Sequence, residues 1–389
     1  MKALSEKVFL KLDMPNSKDR KSDRDRILDK LKIKYKNVDI PYKITKDLYP
    51  KCRESNFEIT VTLVKRTYDW VVTRIEQGDK TDKNYGLCVD LGSTTVIMRL
   101  VDLNTGDIVV EEGCFNKQIS FGEDILNRIF YTRNSKEKLY EIHKATIYTF
   151  SELIDIITEK SKINSEDISV MTVAGNTTMI HFLLNIDPWT IFQMPYTPIF
   201  NHTGFISCDE IGIPIKGYLY CFPSVANYLG GDIVSGVLFT EIYKQKELSA
   251  FIDIGTNGEL VIGNEEFLVA VAGAAGPALE GGISKFGMRA KEGAIDTIKI
   301  VDNNIKYTTI ENKKPLGICG SGIVDLLSEM FLNGWIDFSG ELRENTSKNI
   351  IKVNSQLAVE YATKEESENH ESLIFTQSDI NQFLKTKSA

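Results

Sequence analysis

No run of apolar residues in the 389-residue chain approaches the roughly 18–20 needed to cross a bilayer. The first residues, Met1-Lys2-Ala3-Leu4-Ser5-Glu6-Lys7, lack the apolar core of an export signal. The expectation is a cytoplasmic protein with no membrane partner. No two of the six cysteines (Cys52, Cys88, Cys114, Cys208, Cys221, Cys319) form a C-x-x-C pair. Their spacing suits neither a zinc site nor a local iron–sulfur site, and without export disulfides are not expected. Cys88, Cys114, Cys221 and Cys319 lie in apolar or glycine-rich surroundings, where a free thiol behaves as a small core residue. The four histidines, His143, His181, His202 and His370, show no metal-ligand spacing. His181 follows an apolar strand–helix junction and reads as a satisfied core residue. Positive charge is short as well: a net charge of −8 and a pI near 5.3 exclude a general nucleic-acid or anionic-surface binder. Lys18–Arg26 is rich in Lys and Arg, but Asp19, Asp23 and Asp25 interleave, so it reads as a solvated face.

What remains is a chain of globular composition, 42% hydrophobic and 26% charged, long enough for two or three domains. Residues 1–84 read as a small α+β module. Val8–Leu12 is strand-like, and Asp23–Leu31 sets Ile27, Leu28 and Leu31 on one helical stripe. Phe57–Leu63 alternates with period two, the pattern of a half-buried strand, and Trp70–Ile75 is a second strand. The polar, turn-rich Gln77–Asn84 marks a boundary. Strand, turn and strand then follow at Gly86–Leu91, Gly92-Ser93-Thr94 and Thr95–Asp102, with a third strand at Asp107–Glu112. Helices are predicted at 123–131 and 136–160, a strand at 168–173, then Ala174-Gly175-Asn176-Thr177-Thr178 and an apolar helix from Met179. About 160 residues on, the pattern recurs: Ile252-Asp253-Ile254-Gly255-Thr256-Asn257-Gly258 matches Val89-Asp90-Leu91-Gly92-Ser93-Thr94-Thr95 position for position. The chain contains an internal duplication.

A hairpin with a glycine- and hydroxyl-rich tip can cradle phosphate. Gly92 and Gly255 let backbone approach an anion, and successive amides in such a turn form an anion-binding nest. Ser93, Thr94, Thr95 and Thr256 add hydroxyl donors. Asp90 and Asp253, at the ends of central strands, can hold a hydrated Mg²⁺, which needs only one or two carboxylates besides phosphate oxygens. One such hairpin alone is more often just a tight turn. Two in equivalent strands are what a two-lobed ATP clamp needs, and the tips Gly92–Thr94 and Gly255–Asn257 are expected to face one cleft. Two glycine-rich junctions add helix N-termini: Gly175-Asn176-Thr177-Thr178, where Asn and two Thr add polar reach, and Gly317-Ile318-Cys319-Gly320-Ser321-Gly322. For the second, close packing through small residues weighs as much as anion binding. Glu123, Asp124 and Glu259 are the carboxylates nearest the loops, candidates to orient an attacking water.

Together these motifs resemble the ATP-binding core of the acetate/sugar kinase–Hsp70–actin (ASKHA) superfamily. Within it the chain looks like the ATP-dependent reductive activators of corrinoid proteins. The closer resemblance rests on Asp90–Thr95, Phe121–Ile129, Ala174–Met179, Asp253–Glu259, Gly276–Gly282, Gly287-Met288-Arg289-Ala290 and Gly317–Gly322. It implies an α/β, actin-like ATPase fold with ribonuclease-H-like lobes at 85–248 and 249–389, preceded by a linker end and small α+β middle domain at 1–84. It implies ATP and Mg²⁺ as cofactors, with Asp90, Asp253, Glu259 and Asp124 as candidate catalytic residues. The nucleotide-binding candidates are Gly92, Ser93, Thr94, Thr95, Gly175, Asn176, Thr177, Gly255, Thr256, Asn257, Gly258, Gly317, Gly320, Ser321 and Gly322. The implied partners are a corrinoid protein, an iron–sulfur electron donor and, left open, a second copy in a homodimer. The implied reaction is one-electron reduction of Co(II) to Co(I). Gly276–Gly282 and Gly287–Ala290 are candidate partner-facing or lobe-interface segments, with ordinary packing an equal alternative.

Two departures from the pattern stand out. Relatives carry an N-terminal ferredoxin-like domain with four cysteine ligands, and nothing before Cys52 matches it. No iron–sulfur cluster bound by this chain is expected. The superfamily's adenosine-contacting glycine motif follows a long C-terminal helix, whereas the sequence stops at Gln382–Ala389, so the second lobe reads as incomplete. Two other functions compete. One is a small-molecule phosphotransferase of the same fold, although no sugar- or acetate-specific motif is seen. The other is a non-catalytic docking module built on the ATPase fold.

Overall fold

The computed structural model describes residues 3–122, 124–255, 257–274 and 283–388, and the chain divides into two compact units, Met1–Thr240 and Glu241–Ala389.

The first unit opens with β1 (Ser5–Lys11), α1 (Asp23–Lys32), β2 (Val38–Asp39), α2 (Tyr42–Thr45), α3 (Leu48–Glu54), β3 (Glu58–Lys65) and β4 (Trp70–Gln77), its strands ordered β1-β3-β4-β2. Helix α1 starts where the Ser22 hydroxyl accepts the Asp25 amide, with acidic residues in its first turn and basic ones in its last, which suits the helix dipole. Its Ile27, Leu28 and Leu31 stripe joins Ile59, Val61, Leu63 and Ile75 in one core. Two expectations are corrected here. Strand β3 is buried on both faces rather than one: Ile59, Val61 and Leu63 join the core under the helices, and β3 also meets β8 of the next sheet. Arg26 is folded inward rather than solvated: its guanidinium bonds the Asp13 and Asp19 carbonyls and pairs with the Asp19 carboxylate.

A second sheet follows from β5 (Tyr85–Leu91), β6 (Thr95–Asp102), β7 (Ile108–Phe115), α4 (Ile125–Thr132), α5 (Lys136–Ser161), β8 (Ile168–Gly175), α6 (Thr177–Leu183), α7 (Trp189–Phe192), β9 (Phe205–Ser207), α8 (Cys208–Ile211), β10 (Tyr218–Cys221) and α9 (Gly231–Thr240). Its order is β7-β6-β5-β8-β10-β9, with β5, β8 and β10 mutually parallel and the remaining pairs antiparallel. Leu87, Val89, Leu91, Met171 and Val173 pack on Ile142, Phe150, Leu153 and Ile157 of α5. Strand alternation puts Cys88 and Asp90 on the opposite face, where both are exposed. That corrects the expectation of a core Cys88. Cys221 and Cys319 are buried, as are Cys52 and Cys208, and Cys114 is half-buried.

The polar stretch before β5 ends in an anchor rather than a loose tether. Asn84 is buried, donates to the Ser5 carbonyl at 3.0 Å and accepts the Ser5 hydroxyl at 3.2 Å, while Ser169 of β8 donates to the Ser5 hydroxyl at 2.7 Å. Beside it Lys7 of β1, its side chain only 1% exposed, pairs with Glu76 of β4 at 2.9 Å and with Asp167 at 3.2 Å. Arg74 of β4 closes the network to Glu76 at 3.1 Å and Asp167 at 3.2 Å.

Among its described residues the second unit forms three three-stranded sheets. The first is β11 (Ser249–Ile254), β12 (Asn257–Gly263) and β13 (Leu268–Ala274); the second is β14 (Ala294–Val301), β15 (Asn304–Thr309) and β16 (Gly317–Ile318), followed by α10 (Gly320–Leu332). The third is β17 (Ile350–Val353), β18 (Gln356–Ala362) and β19 (Leu373–Thr376), followed by α11 (Gln377–Ser388). Ile295, Ile298, Ile323, Leu326, Met330, Trp335, Tyr361 and Phe375 form the core of the last two sheets. The β11–β13 sheet leaves Ile252, Ile254, Val269 and Val271 exposed. Among the described residues β11 pairs only with β12, so Asp253 ends an edge strand, whereas Asp90 ends a central one between β6 and β8.

Candidate functional site

In the first unit, residues 92–94 turn β5 into β6. The parallel register of β5 on β8 sets Asp90 beside Ala174 and Leu91 beside Gly175. Two glycine-rich stretches distant in sequence thus reach one end of one sheet. Backbone is close enough there to require glycine: a Cβ on Gly92 would lie 2.5 Å from the Thr95 carbonyl oxygen, and one on Gly175 2.8 Å from that of Leu91. The turn is held from behind by Asn116. Its side-chain amide donates to the Gly92 carbonyl at 2.8 Å, its backbone amide donates to the Thr94 carbonyl at 2.8 Å, and its own side-chain oxygen accepts the Gln118 amide at 3.0 Å. Tying a turn's carbonyls to one side is the condition for offering its amides to an anion on the other.

Beneath Asn116 lies a buried polar network. Gln118 donates to the Thr146 hydroxyl at 2.6 Å and accepts Arg128 at 3.2 Å, and Arg128 donates to the Gly122 carbonyl at 2.9 Å. Gly122 has φ +155°, and a Cβ there would meet the Asn127 Cβ at 2.8 Å. The Phe121–Ile129 motif therefore builds the support of the phosphate-loop candidate. Asp124 is exposed and caps α4, its two oxygens accepting the backbone and side-chain amides of Asn127 at 2.7 and 2.8 Å. Glu123 lies outside the described residues. Asn116 and Gln118 escaped sequence reading; the available signal was a pair of amides directly after an alternating strand.

At the neighbouring junction Asn176 caps α6 by accepting the Thr178 amide at 3.0 Å and donates to the Tyr228 carbonyl at 3.0 Å. Thr177 donates its hydroxyl to the Ala226 carbonyl at 2.8 Å. Both side chains are buried. They hold the 222–230 segment rather than reach outward, so the junction offers a ligand chiefly its backbone. Gly230, also missed, packs directly on it: a Cβ there would sit 2.3 Å from the Gly175 carbonyl oxygen. Its signal was Gly-Gly before Asp232 at the start of a helix. His181 is a satisfied core residue. The Ile199 amide donates to its Nε2 at 3.3 Å, so the ring proton sits on Nδ1, which donates to the Thr177 carbonyl at 2.8 Å, and burial lowers its pKa. Its ring stacks on Phe200 with centroids 4.3 Å apart.

In the second unit Asp253, half-buried, is the direct cross-strand partner of the buried Glu259. Residues directly opposite on antiparallel strands share a face, so two carboxylates rise side by side next to Gly255 and Gly258. A Cβ on Gly255 would meet nothing within 4 Å. Thr256 lies outside the described residues, and Asn257 opens β12. Further on, Gly317 and Gly322 serve close packing, since added Cβ atoms would lie 2.3 Å from the Phe286 carbonyl and 2.4 Å from the Ile295 carbonyl. Between them Gly320 is buried, whereas Ser321 is exposed at the start of α10. Gly287–Ala290 runs against this segment, with the Met288 amide on the Ile318 carbonyl at 2.9 Å. Gly276–Gly282 lies outside the described residues.

Among the described residues no group of three or more His, Cys, Asp or Glu side chains is placed to hold a metal ion, and no helix is long and apolar enough to cross a membrane. A cavity of about 470 Å³ in the first unit, lined by Leu4, Lys65, Thr67, His202, Tyr220 and Phe222, contains none of the candidate residues.

Three profiles of one family match the chain in succession: RACo linker region at 1–82, RACo middle region at 85–245, and C-terminal domain of RACo, the ASKHA domain, at 247–389. The chain is 31% identical over 329 residues to the corrinoid activation enzyme RamQ of Eubacterium limosum, an alignment covering 82% of this chain and 55% of that protein. It is 25% identical over 236 residues to the [Co(II) methylated amine-specific corrinoid protein] reductase of Methanosarcina barkeri, covering 55% and 41%. A solved reductive activator for corrinoid, iron-sulfur protein superposes with a TM-score of 0.70 at 37% identity, over 99% of this chain and 62% of that one. The chain spans about half the length of the curated relatives it matches. It belongs to the RACo family of reductive activators of corrinoid proteins and comprises linker, middle and ASKHA-domain sequence.

Proposed function

We propose that this chain is the ATP-using part of a reductive activator. It couples binding and hydrolysis of Mg·ATP to the one-electron reduction of Co(II) to Co(I) in a corrinoid methyl-carrier protein, and an iron–sulfur donor supplies the electron. The observation that carries the reading is the convergence of Asp90–Thr94 and Gly175–Thr177 at one sheet end, with the Gly92 and Thr94 carbonyls tied back by Asn116. The names of the relatives supply the substrate class. In this reading residues 85–248 form one ribonuclease-H-like lobe and 249–389 the other, with 1–84 a small module before them. The order β7-β6-β5-β8-β10, an antiparallel meander continued by parallel strands, supports it for the first. Each unit is read with a phosphate turn of its own: Gly92, Ser93, Thr94 and Thr95 in the first, Gly255, Thr256, Asn257 and Gly258 in the second. The backbone of Gly175, Asn176 and Thr177 and the α10 start at Gly317, Gly320, Ser321 and Gly322 are further donors. Asp90 and Asp253 hold hydrated Mg²⁺, and the pairing of Asp253 with Glu259 suits a site that gains from a cation. Bound Mg·ATP supplies the free energy of its binding and hydrolysis. The protein uses it only through a difference in affinity between conformations.

The test mixes purified chain, Mg·ATP, an iron–sulfur donor added in trans and a Co(II) corrinoid protein, and follows Co(I) absorbance. ATP-dependent Co(I) formation is expected. Equal rates with and without ATP would sink the reading, and transfer of the γ-phosphate to a metabolite would identify a phosphotransferase instead.

A further inference from the structure

Two stretches of the first unit, 188–208 and 217–231, contain no Asp, Glu, Lys or Arg, in a chain that is 26% charged. Charge-free runs of that length normally belong to a core. Here much of them is surface: Met194 is 76% exposed, Tyr196 51%, Ile199 59%, Val225 65% and Tyr228 40%. Single exposed apolar residues need no explanation, but this set is concentrated in two loops bonded to one another. The Ser224 amide and hydroxyl donate to the Asn201 carbonyl and side chain at 2.9 and 3.2 Å, and Asn227 donates to the Ile191 carbonyl at 3.2 Å. The surface is also held in place. His181 takes the Ile199 amide and stacks on Phe200, Thr177 takes the Ala226 carbonyl, and Asn176 takes that of Tyr228. Interface cores are rich in Tyr and Met and poor in charge, and a preorganised surface loses little entropy on binding.

We infer that the 193–200 and 224–229 loops are the docking surface for the protein-bound corrinoid itself. This rests on the activator reading above and adds where the partner sits. The charge pattern selects the occupant. An anionic surface would call for Lys or Arg, and these stretches have none. A corrin macrocycle is broad and largely apolar, edged by uncharged amides, and it fits a neutral surface of Tyr, Met, Ile and Val. The placement also gives docking a physical route to the nucleotide. The carbonyls of Ala226 and Tyr228 are bonded to Thr177 and Asn176, at the junction assigned to phosphate, so a shift at one is felt at the other.

The experiment uses two probes, a methylated amine-specific corrinoid protein poised as Co(II) and free cob(II)alamin. Met194→Glu, Ile199→Glu and Val225→Glu each place a carboxylate on the surface, and Tyr148→Glu, on the exposed face of α5, is the control. We expect roughly tenfold weaker binding for each of the three, since an unpaired charge opposes an apolar contact. The control should bind like wild type, and amide-exchange protection in the complex should fall at 193–200 and 224–229. Wild-type affinity in all three variants, or protection elsewhere only, overturns the docking surface and leaves the activator reading standing. Loss of self-association with corrinoid binding unchanged also overturns it, in favour of a second copy. A wild-type chain that binds neither probe overturns both.

Discussion

Asn116 donates its side-chain amide to the Gly92 carbonyl at 2.8 Å, across the base of the turn between β5 and β6. Asn116→Asp keeps the oxygen that accepts Gln118 and replaces the donor with a carboxylate facing a carbonyl. A buried group left without its partner costs about 1–3 kcal/mol, and a stability loss of that size is expected in denaturant unfolding. If the bond only stabilises the fold, exchange should speed up broadly with that loss. If it sets the turn, amides 92–95 should exchange faster than others in the sheet, and Mg·ATP affinity should fall more than adenosine affinity.

The pairing of Lys7 with Glu76 and Asp167 joins the family's linker region to its middle region. Removing one partner of a buried ion pair costs roughly 3–5 kcal/mol, because the other charges stay buried. Lys7→Met should therefore lower the unfolding midpoint markedly. It should also split a single transition into two, with residues 1–82 melting first. A midpoint near wild type would mean that Arg74, bonded to the same carboxylates, carries the network alone.

His181 sets a pH dependence of known sign. Burial lowers its folded-state pKa from the ordinary 6.5, so between the two values the unfolded chain binds more protons. Stability is then fully present above about pH 6.5 and is lost as pH falls toward the folded pKa. Carboxylates titrate nearby, so the measurement is a difference. The stability of wild type minus that of His181→Phe, which keeps the ring but neither hydrogen bond, should shrink between pH 7 and pH 5. A difference independent of pH would show that the imidazole is not titrating against folding.

The hairpins were legible because their strands alternate and glycine marks each turn; the Ala174–Thr178 junction was legible because a strand ends there and a helix begins. The side-chain duties at that junction were not. Asn176 and Thr177 look equally suited to a ligand or to the chain, and the carbonyls that claim them, Tyr228 and Ala226, lie about fifty residues away. Asn116 was hidden for the same reason: its partner is 24 residues back. Arg26 misled because interleaved charges resemble a solvated face, and only the fold reveals that Asp19 and the Asp13 carbonyl enclose it. Cys88 misled because neighbouring apolar residues do not say which face of a strand a side chain takes.

Asp90 and Asp253 give the sharpest separation of function from folding. Asp90 is exposed, and exposed substitutions usually change stability by no more than about 0.5 kcal/mol. Asp253 stands opposite Glu259, and like charges directly opposed weaken a sheet, so Asp253→Asn should leave stability unchanged or raise it slightly. On the proposed reading each carboxylate is a Mg²⁺ ligand. Asp90→Asn and Asp253→Asn should each reduce Mg²⁺-dependent nucleotide turnover at least about tenfold, the scale set by losing one charge-assisted contact. The check is parallel denaturant unfolding and turnover over a Mg²⁺ titration. A variant that weakens the cation site should need more Mg²⁺ for half-maximal rate, whereas one that merely loosens the fold should lose rate at every Mg²⁺ concentration. Matched losses of stability and activity, with no change in the Mg²⁺ midpoint, would assign both aspartates to the fold and remove the metal from the proposed site.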